Sequence, residues 1–200
     1  SDTNSTLRLV VESMKLKTQK NLLSTAITSA KDNLAVFSDA DDKRTILVPW
    51  FSDFHSPLAP ALGKIAGYTV ENLPSSDKES VDLGLEYANN EICYPATLIV
   101  GDVIKALKNH SYNNDKIAIG ITQTGGQCRA TNYLALIKRA MASEGITDIP
   151  VIAIGASDFL FNEQPGFKPN WNKLIKPATL ALLFTDSLSR IYYASASREK

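Results

Sequence analysis

Lys116-Ile117-Ala118-Ile119-Gly120-Ile121-Thr122 is a nearly continuous apolar run, and the Gly-rich turn Gln123-Thr124-Gly125-Gly126-Gln127 follows it at once. Residues 130–142 then place Leu134, Ile137 and Met141 on one side of a helix and Lys138-Arg139 on the other. Gly145 stands where that helix should end, and Ile149-Pro150-Val151-Ile152-Ala153-Ile154 is a second apolar run. A strand without polar alternation is one buried on both faces, as in a parallel sheet covered by helices. Strand, turn, helix and strand in this order make a βαβ unit with a right-handed crossover. The predicted fold is therefore α/β and three-layer, with a mostly parallel sheet of about five strands, Rossmann-like or flavodoxin-like, and a long C-terminal helix.

The same alternation continues upstream. Thr45-Ile46-Leu47-Val48-Pro49 reads as a strand closed by proline, and Tyr68-Thr69-Val70-Glu71-Asn72-Leu73-Pro74 as another. Between them, residues 57–66 have helical spacing, with Gly67 in the position that stops a helix. Residues 80–87 form a short helix with Val81, Leu85 and Ala88 on one face, and residues 95–107 a longer one with Pro95 in its first turn. Leu34-Ala35-Val36-Phe37 is a short apolar run before a polar turn. Residues 7–30 carry Leu9, Val10, Met14, Leu16, Leu22, Leu23, Ala26 and Ile27, read as a short strand and a helix.

Downstream the pattern changes. Residues 156–172 hold Phe159, Phe161, Phe167, Trp171 and two prolines, an irregular connection anchored by aromatic rings. Residues 173–193 then make one long helix, with Pro177 inside and apolar side chains on nearly every face, more than a surface helix needs. It should pack on two sides: between the sheet layer and the N-terminal segment, or against another copy of the chain. The expected organisation is an N-terminal segment 1–33, an α/β core 34–155, and a connection with C-terminal helix 156–200. The chain opens Ser1-Asp2-Thr3 without an initiator methionine, and reads as a processed chain or an excised piece.

Composition narrows the function classes. Lys plus Arg is 21 and Asp plus Glu is 21, for a net charge of zero. Nucleic-acid binding draws on a basic excess that releases counterions, so no nucleic-acid partner is expected, and no polybasic membrane patch either. No apolar run is long enough to span a bilayer, so no membrane partner is expected. Two cysteines cannot staple a secreted scaffold, which makes a reducing, cytoplasmic setting the expectation. The dinucleotide G-x-G-x-x-G, the P-loop and the G-x-S-x-G elbow are all absent.

Those two cysteines are the candidates for chemistry. Cys93 precedes the helix that starts near Pro95, and Cys128 sits in the Gly-rich turn beside Arg129, just before the next helix. A helix N-terminus and an adjacent cation favour the thiolate, the form that binds metals and attacks electrophiles. Ligands of open parallel sheets bind at the carboxyl edge, so both thiols could face one crevice. Gly125, Gly126, Gln127 and Arg129 would line it and hold anions through N–H groups and the guanidinium. The plainer alternatives remain open: a small buried cysteine, and a tight turn at Gly125-Gly126. Two thiols alone cannot hold a metal, and a third ligand would be His55, His110, a carboxylate or a group outside these residues.

Asn89-Asn90-Glu91-Ile92-Cys93-Tyr94-Pro95-Ala96-Thr97-Leu98, with Gly101-Asp102 after it, resembles the large activase-type proteins of the 2-hydroxyacyl-CoA dehydratase system. So does Ile121-Thr122-Gln123-Thr124-Gly125-Gly126-Gln127-Cys128-Arg129-Ala130-Thr131-Asn132-Tyr133, and the resemblance runs from about residue 44 to 155. These are CoA-substrate-specific enzyme activases, or activators of (R)-2-hydroxyglutaryl-CoA dehydratase, in which ATPase modules are fused to a region similar to dehydratase subunits. The resemblance implies that this chain is the dehydratase-like part, with Rossmann-like α/β architecture. It implies Cys93 and Cys128 as candidate ligands of a four-iron four-sulfur cluster serving low-potential electron transfer to acyl-CoA chemistry. Dehydratase subunits use three cysteines per cluster and this chain has two, so the third ligand would lie elsewhere or the cluster would be lost. Implied partners are other domains of the same polypeptide or a dehydratase component, an acyl-CoA, and another copy of the chain. Two other readings stand beside this one: a non-catalytic docking module, and a reversible thiol redox pair.

Overall fold

The computed structural model describes residues 34–88, 92–109, 112–123, 132–155 and 162–198. Four strands, β1 (Thr45–Val48), β2 (Val70–Asn72), β3 (Ile117–Thr122) and β4 (Val151–Ile154), form one sheet in the order β2-β1-β3-β4. Every pairing is parallel, with Ile46 opposite both Val70 and Ala118, and Ile119 opposite Val151. The α/β fold is as the sequence predicts. The described residues hold four strands rather than about five, because the run 34–37 joins no ladder and the N-terminal stretch lies outside them.

Both faces of the sheet are buried, which is why its strands read as unbroken apolar runs. On one face Leu47, Ile119, Ile121 and Val151 pack against Val103 and Ile104 of α3 (Tyr94–Lys108) and Ile137 and Met141 of α4 (Tyr133–Ser143). On the other face Ile46, Ala118 and Ile152 meet Phe37, backed by Tyr68, Val70 and Phe167. The Phe37 and Phe167 rings meet edge-on at 6.3 Å, and Phe37 is fully buried. The aromatic residue predicted as an anchor in the connection is thus a cover for the second face.

Helix α1 (Ala59–Ala66) ends at Gly67, whose φ of 99° is left-handed, the conformation that glycine adopts without strain. Helix α2 (Lys78–Tyr87) departs from expectation. Of the expected face Ala88 is buried and Val81 half-buried, but Leu85 is about half exposed, and the buried residues within the helix are Ser80 and Gly84. The reason is stacking on α3 through small residues. A Cβ placed on Gly84 would lie 2.0 Å from the Thr97 carbonyl oxygen, and one on Gly101 would lie 1.7 Å from that of Ser80. Backbones this close leave no room for a leucine stripe.

The outer edge of β4 is closed by side-chain amides. The Gln164 Oε1 accepts from the Ala153 N–H at 2.8 Å, and its Nε2 donates to the Ala153 carbonyl at 2.9 Å. The Asn162 Nδ2 donates to the Val151 carbonyl at 2.7 Å. Backbone groups that would otherwise offer a template for a further strand are thereby satisfied. Helix α5 (Trp171–Ala196) runs through Pro177 unbroken and touches the domain mainly through α1. Among its residues only Thr185 is buried.

Two stability predictions follow from these contacts. Gln164→Ala leaves the buried Ala153 N–H and C=O without partners, and should lower unfolding free energy by about 1–3 kcal/mol. A urea-denaturation loss within about 0.5 kcal/mol, ordinary for a surface change, would show that the edge is not held this way. Gly101→Ala should destabilise despite alanine's better helix propensity, by about 1–3 kcal/mol or more, because the methyl overpacks the α2–α3 contact. Thermal melting of the two proteins side by side checks it.

Candidate functional site

The strand order places a switch point between β1 and β3, since the chain leaves β1 toward β2 and leaves β3 toward β4. Open α/β sheets take ligands beyond the carboxyl ends of the strands at such a point. The loop after β1 stands at that edge. Its Ser56 Oγ accepts from the N–H groups of Phe51 at 2.7 Å and Ser52 at 3.1 Å, while Asn72 Nδ2 donates to the Ser56 carbonyl at 2.7 Å. His55 Nδ1 lies 2.8 Å from Ser52 Oγ, which also accepts from the His55 N–H at 3.1 Å. His55 is therefore engaged within its own turn.

Cys93 occupies the N-cap position of α3, half-buried and in extended backbone (φ −63°, ψ 139°). It arrives there by the link from α2 to α3, not by a turn directly after a strand. Because α3 leads into the start of β3, its own N-terminus lies toward the carboxyl edge, where the sequence argument expects the thiol. Its sulfur is 3.5 Å from the Tyr133 hydroxyl oxygen. Tyr133 is the first residue of α4, the helix that follows the β3 turn. The two helix starts thus meet at a thiol–phenol contact, and Cys128 stands five positions before Tyr133 in the sequence. Cys93 itself stands at the N-terminal end of α3, where unpaired N–H groups favour negative charge.

Gly125, Gly126, Gln127, Cys128, Arg129 and His110 lie outside the described residues. Gln123, the last described residue of the β3 turn, is buried and donates its N–H to the Ile154 carbonyl at 2.9 Å. Among the described residues no group of three or more His, Cys, Asp or Glu side chains is positioned to hold a metal, and none of their helices is long and apolar enough to cross a membrane. Tyr133 is the neighbour of Cys93 that spacing did not single out. The signal was its place at the end of the cysteine-bearing motif, but a contact across 40 positions is set by the helix packing.

A cavity of about 100 Å³ lies away from this edge, between the β2–α2 connection and α3, lined by residues that include Leu73, Ser80, Asp102, Lys105 and Tyr112. Small-molecule sites usually enclose roughly 300–1,000 Å³, so this one accommodates waters and not an acyl-CoA. Asp102 is buried beside it and accepts from Ser76 Oγ at 2.7 Å. Burial raises its pKa above the ordinary 3.8, against hydrogen bonds from Ser80 and Ser76 that pull it down. At the mouth, Lys105 pairs with Asp77 and holds that carboxyl down to about 2, helped by the Ser80 N–H.

Comparison with protein-family models, with curated proteins and with solved structures finds no match to this chain.

The two carboxyls give opposite pH dependences. Asp77, depressed in the fold, contributes stability above its unfolded pKa and loses it as pH falls through about 2. Asp102, raised in the fold, costs stability when ionised, a cost that disappears as pH falls through its folded pKa. Asp102→Asn should therefore gain on the wild type as pH rises from the ordinary carboxylate value toward neutrality. Urea unfolding across that range is the check, and a pH-independent difference between the two proteins would contradict it.

Proposed function

We propose that this chain is the dehydratase-like module of a protein of the 2-hydroxyacyl-CoA dehydratase activase type, working in a cytoplasmic, reducing setting. In this reading the carboxyl edge presents Cys93 and Cys128 as thiolates for low-potential electron transfer to acyl-CoA chemistry. The observation that carries the reading is the Cys93 Sγ–Tyr133 Oη contact of 3.5 Å, which joins the start of α3 to the start of the helix behind the Cys128 turn. It supports the convergence of the two cysteine-bearing motifs at the edge where parallel sheets bind ligands.

The described residues alone do not fit a four-iron four-sulfur cluster. They supply one cysteine and no set of three ligating side chains, and such clusters are held by several cysteines. The cluster reading therefore needs Cys128 and at least one ligand from outside these residues, and no reaction step is derived through it. What the chain's own residues do is narrower. The α3 N-terminus favours the anionic sulfur, the Tyr133 hydroxyl stands within reach to orient it, and Gly125, Gly126, Gln127 and Arg129 are assigned to anion binding around it.

Anaerobic reconstitution with iron and sulfide, with and without a dehydratase component, tests the proposal. Wild-type protein should bind iron and sulfide with a paramagnetic cluster signal on reduction, and Cys93→Ser and Cys128→Ser should each lose it. A colourless wild type under both conditions, or binding unchanged in both variants, would overturn the cluster assignment. Oxidant-driven loss of both thiols together in that colourless protein would replace it with the redox-pair reading, which needs Cα atoms within about 7 Å.

A further inference from the structure

The neighbours Gly101 and Asp102 couple the packing of α3 to a buried charge. With no side chain at Gly101, α2 comes in until a Cβ there would lie 1.7 Å from the Ser80 carbonyl oxygen. The next residue, Asp102, is left 5% exposed beneath the β2–α2 connection. Its hydrogen-bonding neighbours are hydroxyls: Ser76 Oγ donates to Oδ2 at 2.7 Å, and Ser80 stands beside the carboxyl. An ionised carboxylate accepts about four hydrogen bonds, so two hydroxyls leave capacity over. Among the described residues no cation stands within ion-pair distance of it. Lys105 lies one turn further along α3, but its ammonium is engaged by Asp77 and, at 3.3 Å, by Glu79. A carboxylate buried in this way is ordinarily either protonated or met by a cation. Desolvation favours the first, and holds the Asp102 carboxyl above its ordinary range.

We propose that the cavity beside Asp102 is a binding site for a guanidinium group, whose N–H groups donate to the Asp102 carboxylate. Three observations select this ligand. The first is size. The cavity encloses about 100 Å³. An apolar cavity of about 150 Å³ takes the six carbons of benzene, so this one has room for waters or for one group of about four non-hydrogen atoms. A guanidinium, one carbon and three nitrogens, is that size. The second is charge. Asp102, the Asp77 and Glu79 pairs of Lys105, and Glu71, which accepts from Tyr112 Oη at 3.3 Å, set four carboxylates against one ammonium in and around the cavity. The third is the character of the walls. Leu73, Pro74 and Ala106 are apolar and Asp102 is a planar acceptor. A flat, weakly hydrated guanidinium suits both, because its faces tolerate apolar contact and its fork of donors matches a carboxylate. A compact, strongly hydrated ammonium loses more on entering. Bound there, the group would supply the counter-charge that Lys105 gives to Asp77 and Glu79. The site stands apart from the cysteine chemistry proposed above and does not depend on it. Its chemistry is shared by a free guanidino compound and by an arginine side chain of a partner protein.

Titration of the full chain with guanidinium chloride at millimolar concentration, read by amide NMR shifts at constant ionic strength, tests the site. Shifts at Ser80, Asp102 and Lys105 should saturate. Tetramethylammonium chloride, a cation without N–H donors, should not reproduce them. Asp102→Asn should weaken binding at least tenfold. Ala106→Leu, which fills the cavity and keeps the carboxylate, should weaken it as much. Shifts that do not saturate, shifts that tetramethylammonium reproduces, or an affinity indifferent to either folded variant would overturn the proposal. Should Ala106→Leu fail to fold, Asp102→Asn, which keeps the shape of the side chain, decides alone. N-acetylarginine amide titrated in parallel separates the two sources. Binding tighter than that of guanidinium assigns the site to an arginine side chain, and weaker binding assigns it to a free guanidino compound.

Discussion

The burial of β3 on both faces and along both edges is the constraint from which the rest of the molecule follows. An unbroken apolar strand can exist in water only if something covers every side of it, so β1 and β4 flank it and the crossover helices α3 and α4 lie on one face. Phe37, Tyr68 and Phe167 close the other. Once those helices must return the chain to the start of the next parallel strand, their own N-termini collect toward the carboxyl edge. The meeting of Cys93 with Tyr133 is a by-product of that routing. The chemistry proposed for the edge rests on the same geometry as the stability of the core.

Two devices let a four-stranded sheet stand with few residues to spare. One is close backbone approach. The α2–α3 contact is built on Ser80, Gly84, Thr97 and Gly101, so α2 shields α3 without an apolar ridge and leaves Leu85 facing water. The other is the amide closure of β4. Gln164 supplies one acceptor and one donor in the spacing of a peptide group, and so takes the part of a fifth strand at Ala153. A side-chain closure satisfies the edge while giving a second chain nothing to extend.

Against this economy the apolar excess of α5 is conspicuous. Its least exposed positions are Leu174, Pro177, Ala178, Ala181, Thr185 and Ser189, whereas Leu180, Leu182, Leu183, Phe184, Leu188 and Ile191 are left exposed. Tyr192 and Tyr193 alone among its large tip residues find ring partners, on Phe54 in the loop after β1. This places the far end of the helix against the loop that follows β1.

The sequence by itself determined the periodic part of this protein. The runs at residues 45–48 and 117–122 lacked polar alternation and so had to be buried strands. Pro95 and Gly67 marked helix ends through their backbone restrictions, and the place of Cys93 before a helix could be read from that proline alone. Signals of that sort are local, carried by residues within one or two turns of each other. Tertiary structure decided what depends on which surfaces meet. The buried positions of α2 went to Ser80 and Gly84 and left Leu85 about half exposed, because two helices stacked this closely favour small residues at the contact. Gln164 became part of the sheet because its amide reached an edge 11 positions away. Cys93 found Tyr133 because α3 and α4 share a core, and no spacing rule connects two helix starts 40 residues apart.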